Sequence, residues 1–142
     1  MRASTSSACQ ARTVSKLEPI KRLIAALLGL CGAANGAFML AAPPLWYDSV
    51  PGLAHTGPFN PHFVSDIGVA YLVASAGLIA RAWRPRYWPA AIAGAAFMCG
   101  HALIHALDIM MERAGNVSVD VWLVIVPALL AAWTAIPAKK EM

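Results

Sequence analysis

The chain has 142 residues, of which 59% are hydrophobic and only 13% charged, and its mean hydropathy is +0.60. Soluble domains carry about a quarter of their residues as charges, so this balance excludes an ordinary water-soluble fold and points to an integral membrane protein in contact with a lipid bilayer. The net charge of +4 comes from basic residues at segment ends rather than from a continuous basic patch, which excludes a nucleic-acid-binding surface.

Residues 1–22 are rich in Ser, Thr and basic side chains, and 1–16 hold no acid; they read as a basic cytoplasmic tail without regular structure. The first apolar span, 23–42, is close to the length of about 20 residues that crosses a bilayer. It carries Gly29, Gly32, Ala33 and Gly36, and Gly32-x-x-x-Gly36 is the small-residue spacing that lets helices approach closely. Packing within the bundle is the expected use, ahead of dimerisation. Asn35 sits in the same span as a hydrogen-bonding group, and Pro43-Pro44 ends the helix.

The 43–61 connection contains Trp46, Tyr47 and His55 and is long enough to fold back over the mouth of the bundle. Asn60-Pro61 reads as a helix start, with Asn60 as the N-cap and Pro61 at the first helical position. The second span, 63–80, begins with His62 and Asp66 four apart on one face and ends at Arg81-Ala82-Trp83-Arg84-Pro85-Arg86. So short a turn makes the second and third spans antiparallel neighbours. The third span, 88–109, contains His101, His105 and Asp108 on one narrow stripe. Beyond the 110–118 connection, the fourth span, 119–136, holds Pro127, where a kink is expected, and 137–142 form a second cytoplasmic tail. Cys31 and Cys99 read as small packing residues.

The fold expected is therefore all-α: an antiparallel bundle of four transmembrane helices. Of 11 basic residues only Arg113 falls on the side of the 43–61 and 110–118 connections. By the positive-inside rule both termini are cytoplasmic. Trp46 and Trp122 then lie near one interface, and Trp83, Trp88 and Trp133 near the other. The stretch Phe59-Asn60-Pro61-His62-Phe63-Val64-Ser65-Asp66-Ile67-Gly68-Val69-Ala70-Tyr71-Leu72, together with four short spans and a long first outer loop, resembles the DoxX-like group of small bacterial membrane proteins. That resemblance implies a bacterial cytoplasmic membrane and this bundle architecture, and some members of the group are linked to quinone or sulfur redox chemistry. The His101/His105 pair has no counterpart in the group's pattern.

Polar groups cluster at one level. Helical rise puts Asp66 and His105 about 6 Å, and His101 about 12 Å, inside the outer ends of their spans, whereas the inner half is expected to be nearly free of buried ionisable groups. Such residues in hydrocarbon are candidates for function. The leading expectation is a transition-metal site on His101 and His105, completed by Asp66 or Asp108 with His62 nearby; imidazole ligands favour zinc or copper. A redox or accessory membrane protein is the partner class this implies. The competing reading is an accessory subunit in which Asp66, the histidines and Asn35 form only an interhelical hydrogen-bond network, with His55 and Asn60 as supporting polar groups. Two further readings are b-type haem, for which His62 must face His101 or His105 from another helix, and a quinone held by a His/Asp pair. Ala102-Leu103-Ile104 between the histidines rules out the His-Glu-x-x-His protease helix.

Overall fold

The computed structural model describes the backbone of residues 4–55 and 57–137 and the side chains of 17–54 and 57–137. Among these residues there are helices and no strands. Four helices are long and apolar enough to cross a membrane: Leu17–Ala41, Pro61–Trp83, Pro85–Met110 and Val117–Ala135. Each span packs against the next, and the fourth closes the ring on the first.

The span ends follow local chemistry. Asn60 accepts from Phe63 N at 3.2 Å and Pro61 opens the second helix, as the Asn-Pro pair leads one to expect. The fourth span is continuous but not uniform. Its Asp120–Ile125 segment is a π-helix, in which Val126 N–H reaches back to Val121 O, and Val126–Ala135 resumes the α form. Pro127 cannot donate a hydrogen bond and its ring crowds the carbonyl four residues back. The irregularity expected at Pro127 thus takes the form of a widened turn just before it.

The packing is the reverse of a soluble core. Buried positions are mostly small, among them Ala25, Ala74, Ala91, Ala95, Ala128 and Ala131, while Leu23, Leu30, Val73, Leu103, Leu123 and Leu129 are exposed. Small residues allow close backbone contact where hydrophobic burial does not drive association. A Cβ added to Gly36 would stand 2.6 Å from Gly68 O, and one added to Gly77 would stand 2.4 Å from Ala90 O. The Gly32/Gly36 pair accordingly packs within the bundle, against the second span.

Two expectations are corrected at the end carrying the short 84–87 turn. The 1–22 segment, expected to be irregular, is helical from Ser4, in one helix running to Ala41 with Pro19 inside it. Contacts to other spans hold its later part in place. Lys21 Nζ donates to Ile136 O at 2.9 Å, and Arg22 donates to Ala82 O and Trp83 O at 2.8 and 3.0 Å, satisfying terminal carbonyls of the fourth and second spans. Arg81, read from the sequence as a loop charge, is 1% exposed and pairs with Glu18 Oε1 at 2.6 Å. This half of the bundle therefore does hold a buried ion pair. Of the second tail, residues 138–142 lie outside the described residues.

Candidate functional site

At the opposite end the bundle opens into a cavity of about 520 Å³, within the range of small-molecule sites. Asn35 and Met39 of the first span, Tyr71 of the second, His101 and His105 of the third and Asp120 of the fourth line it, and residues 50–53 and 114–116 roof it. The roof is held where the two connections meet. Gly52 has φ of +88°, and a Cβ on Gly115 would stand 2.5 Å from Gly52 O. Only glycine allows that turn and that contact. The cap expected from the 43–61 connection is thus present, and Asn35 secures it by accepting from Trp46 Nε1 at 2.9 Å.

The central pair is His105 and Asp120, with Nδ1 and Oδ1 2.7 Å apart and the carboxylate buried. Asp120 lies in the first turns of the fourth span, after Asn116, whose side chain accepts from Val119 N at 3.2 Å. A carboxylate near a helix N-terminus is stabilised by the unpaired N–H groups there. An ionised Asp120 accepts from His105 Nδ1–H and so fixes the tautomer. It leaves Nε2 to accept a hydrogen bond when His105 is neutral and to donate one when it is protonated. The His101 ring meets the His105 ring edge-on at 4.7 Å and Tyr71 at 5.9 Å, and stacks along Phe97 at 6.2 Å. This aromatic wall is one against which a flat ring can pack.

Several residues singled out in the sequence are not brought to this point. Asp66 is not the partner of the histidines: its side chain is 64% exposed and faces His62, 88% exposed, with Nε2 and Oδ2 3.5 Å apart. The physical reason is angular. Gly68 faces the first span, and a residue two positions away on a helix lies about 200° round the axis. Asp108 lines the cavity but accepts from Arg113 Nη2 at 3.1 Å. Asn35 ties down the cap rather than joining the histidines, and Asn60 serves as an exposed helix cap. His55 ends the short Leu53–His55 turn, and its side chain lies outside the described residues. Among the described residues no group of three or more His, Cys, Asp and Glu side chains is placed to hold a metal ion; the set His101, His105, Asp66 and Asp108 is not assembled. His62, needed as the second haem ligand, stays on the exposed face of its helix.

Asp120 is the residue that sequence reasoning missed as a partner. The signal was its level: in antiparallel spans, a position early in the fourth lies beside one late in the third. Cys31 also departs from expectation, being exposed and lining the cavity rather than packed inside. No family model, curated protein or solved structure matches the chain.

Proposed function

We propose that this protein spans a bacterial cytoplasmic membrane with both termini inside, and that its outward cavity binds a lipophilic ring compound bearing carbonyl or hydroxyl groups, of the quinone/quinol type. One observation carries the reading: a buried His105–Asp120 pair in the wall of a largely apolar cavity of ligand size. A quinol hydroxyl donates to the unprotonated Nε2 of His105, and the protonated ring donates to a quinone carbonyl. Asp120 supports both states. The aromatic wall of Tyr71 and His101 supplies a packing surface for the ring. Of the readings raised by the sequence, this one uses the residues that are together. The haem reading needs His62, on the exposed face of its helix, and the metal reading needs a carboxylate from Asp66, which faces away, or from Asp108, which pairs with Arg113. The resemblance of 59–72 to the DoxX-like group accords with it and belongs to the same proposal.

Titration of the protein in lipid nanodiscs with a short-chain benzoquinone and its quinol tests the reading. Saturable binding is expected, weakened about 10- to 100-fold by His105→Ala or Asp120→Asn, the worth of a hydrogen bond to a charged group. Undiminished binding in both variants, or none in the native chain, would refute it. Loss of stability without any ligand binding would favour the accessory subunit with its interhelical network.

Orientation rests on charge: Lys21, Arg22, Arg84 and Arg86 gather at one end and Arg113 stands at the other. With Cys31 and Cys99 replaced by Ser, Cys9 is expected to resist a membrane-impermeant maleimide in intact cells. A Ser118→Cys variant also lacking Cys9 is expected to react. The reverse pattern would overturn the topology.

A further inference from the structure

The seams between spans are not equally closed. Gly36 on Gly68 seals the first against the second, Gly77 and Gly94 seal the second against the third, and the His105–Asp120 bond and Cys99 Sγ on Ala128 O, at 3.6 Å, join the third to the fourth. The first and fourth spans pack together along Val126–Ala135, and their packing falls away beside Asp120–Ile125. There the cavity wall consists of Leu28 and Cys31 on one side and Leu123, Val124 and Pro127 on the other. Cys31 and Leu123 line the cavity and are also exposed, Leu123 at 68%. A side chain that faces both an interior space and the outside marks an aperture between them.

Depth tells what the aperture faces. Cys31 lies ten residues from Ala41, about 15 Å along the helix, and Leu123 six residues from Val117, about 9 Å. Both levels fall within a hydrocarbon layer about 30 Å thick. The rim is apolar apart from one thiol, a surface that suits an apolar chain rather than a charged solute.

We infer that this seam is a lateral portal from the bilayer, and that the ligand carries a linear apolar tail, prenyl or acyl, lying between Leu28/Cys31 and Leu123/Val124 while its ring occupies the cavity. The inference rests on the reading that the cavity binds a quinone-type ring, and it adds the tail and the route of entry.

The test uses the full chain in nanodiscs and two probes with the same benzoquinone ring, one tailless and one with a decyl tail bearing a photoreactive diazirine, each titrated per mole of lipid. Peptide mapping after illumination is expected to place the label on Leu28, Cys31, Leu123 or Val124, with excess tailless ring competing. Cys31→Trp is expected to weaken the tailed probe about tenfold more than the tailless probe, the value of excluding about two methylenes. Alkylation of native Cys31 with a bulky maleimide after folding, in a Cys9→Ser/Cys99→Ser chain, gives the same comparison without relying on that variant to fold. Label on the roof at 50–53 or 114–116, or equal effects on both probes, would overturn the portal and leave the ring site standing. Failure of the tailless probe to bind would remove the ring site and the portal with it.

Discussion

Replacing Arg81 with Met is expected to destabilise the bundle by about 3–5 kcal/mol, the largest single effect at the end away from the cavity. The guanidinium is 1% exposed and lies 2.6 Å from Glu18, whose side chain is 22% exposed. Removing the cation leaves a partly buried carboxylate without its counter-charge, and that residual charge, rather than the lost attraction, makes such changes severe. The double variant Arg81→Met/Glu18→Leu removes both charges and keeps apolar bulk. It is expected to recover most of the lost stability, because well-packed apolar replacements of a buried pair are often neutral or better. Unfolding midpoints in mixed micelles with increasing SDS decide the matter. A double variant as unstable as Arg81→Met would mean that Arg81 acts through packing of its stem, not through its charge. The pair also explains why the first helix keeps its form past Pro19. Glu18 fixes it to the second span, and Lys21 and Arg22 tie it to the carbonyl ends of the fourth and second.

What could be read in the chain and what could not follows from how each signal works. Span ends were legible to within three residues, apart from the start of the first, which lies six residues earlier, at Leu17. Length and hydropathy alone carry the signal of a segment able to cross a bilayer. The Gly32/Gly36 contact and the Asn60 cap were legible for a similar reason, each depending on local spacing alone. Arg81 was misread because the positive-inside rule counts charges near a segment end without asking which way the side chain points. Its partner also lay in a segment whose composition reads as irregular. Asp66 was misassigned by depth alone, which gives a level but not an angle, and the two-residue offset from Gly68 was available to correct it. The widened turn at Asp120–Ile125 had no signal beyond Pro127. A proline announces a break in the hydrogen-bond ladder but not the form in which the helix absorbs it. The looseness of the seam beside that turn was out of reach for the same reason.

Leucine at Gly77 is expected to cost at least the 1–3 kcal/mol typical of an overpacked core, because the obstruction is backbone and cannot rotate away. A Cβ there would stand 2.4 Å from Ala90 O and 2.9 Å from Ala90 C, and the reciprocal site, Gly94, meets Ala74 O at 2.4 Å. Only separation of the second and third spans relieves either contact. A graded series makes the argument specific. At Gly32 the nearest obstacle is Ser75 Oγ, at 2.5 Å, a side-chain atom that can swing to another rotamer, so Gly32→Ala is expected to cost less than Gly77→Ala. At Gly100 nothing lies within 4 Å, so Gly100→Ala should be neutral or stabilising by up to about 1 kcal/mol through helix propensity. The order Gly77, Gly32, Gly100 from most to least damaging, read from SDS unfolding midpoints with oligomeric state unchanged, is the expected result. If Gly77→Leu left the midpoint in place, spans two and three would not cross at backbone contact. A change of oligomeric state in Gly32→Ala with the midpoint unmoved would instead assign the Gly32/Gly36 stripe to a contact between chains. Because the Gly77 crossing lies away from the cavity, a weak but folded Gly77→Ala variant should still bind the quinone-type ring, which separates the framework holding the bundle together from the His105–Asp120 pair that the ring would meet.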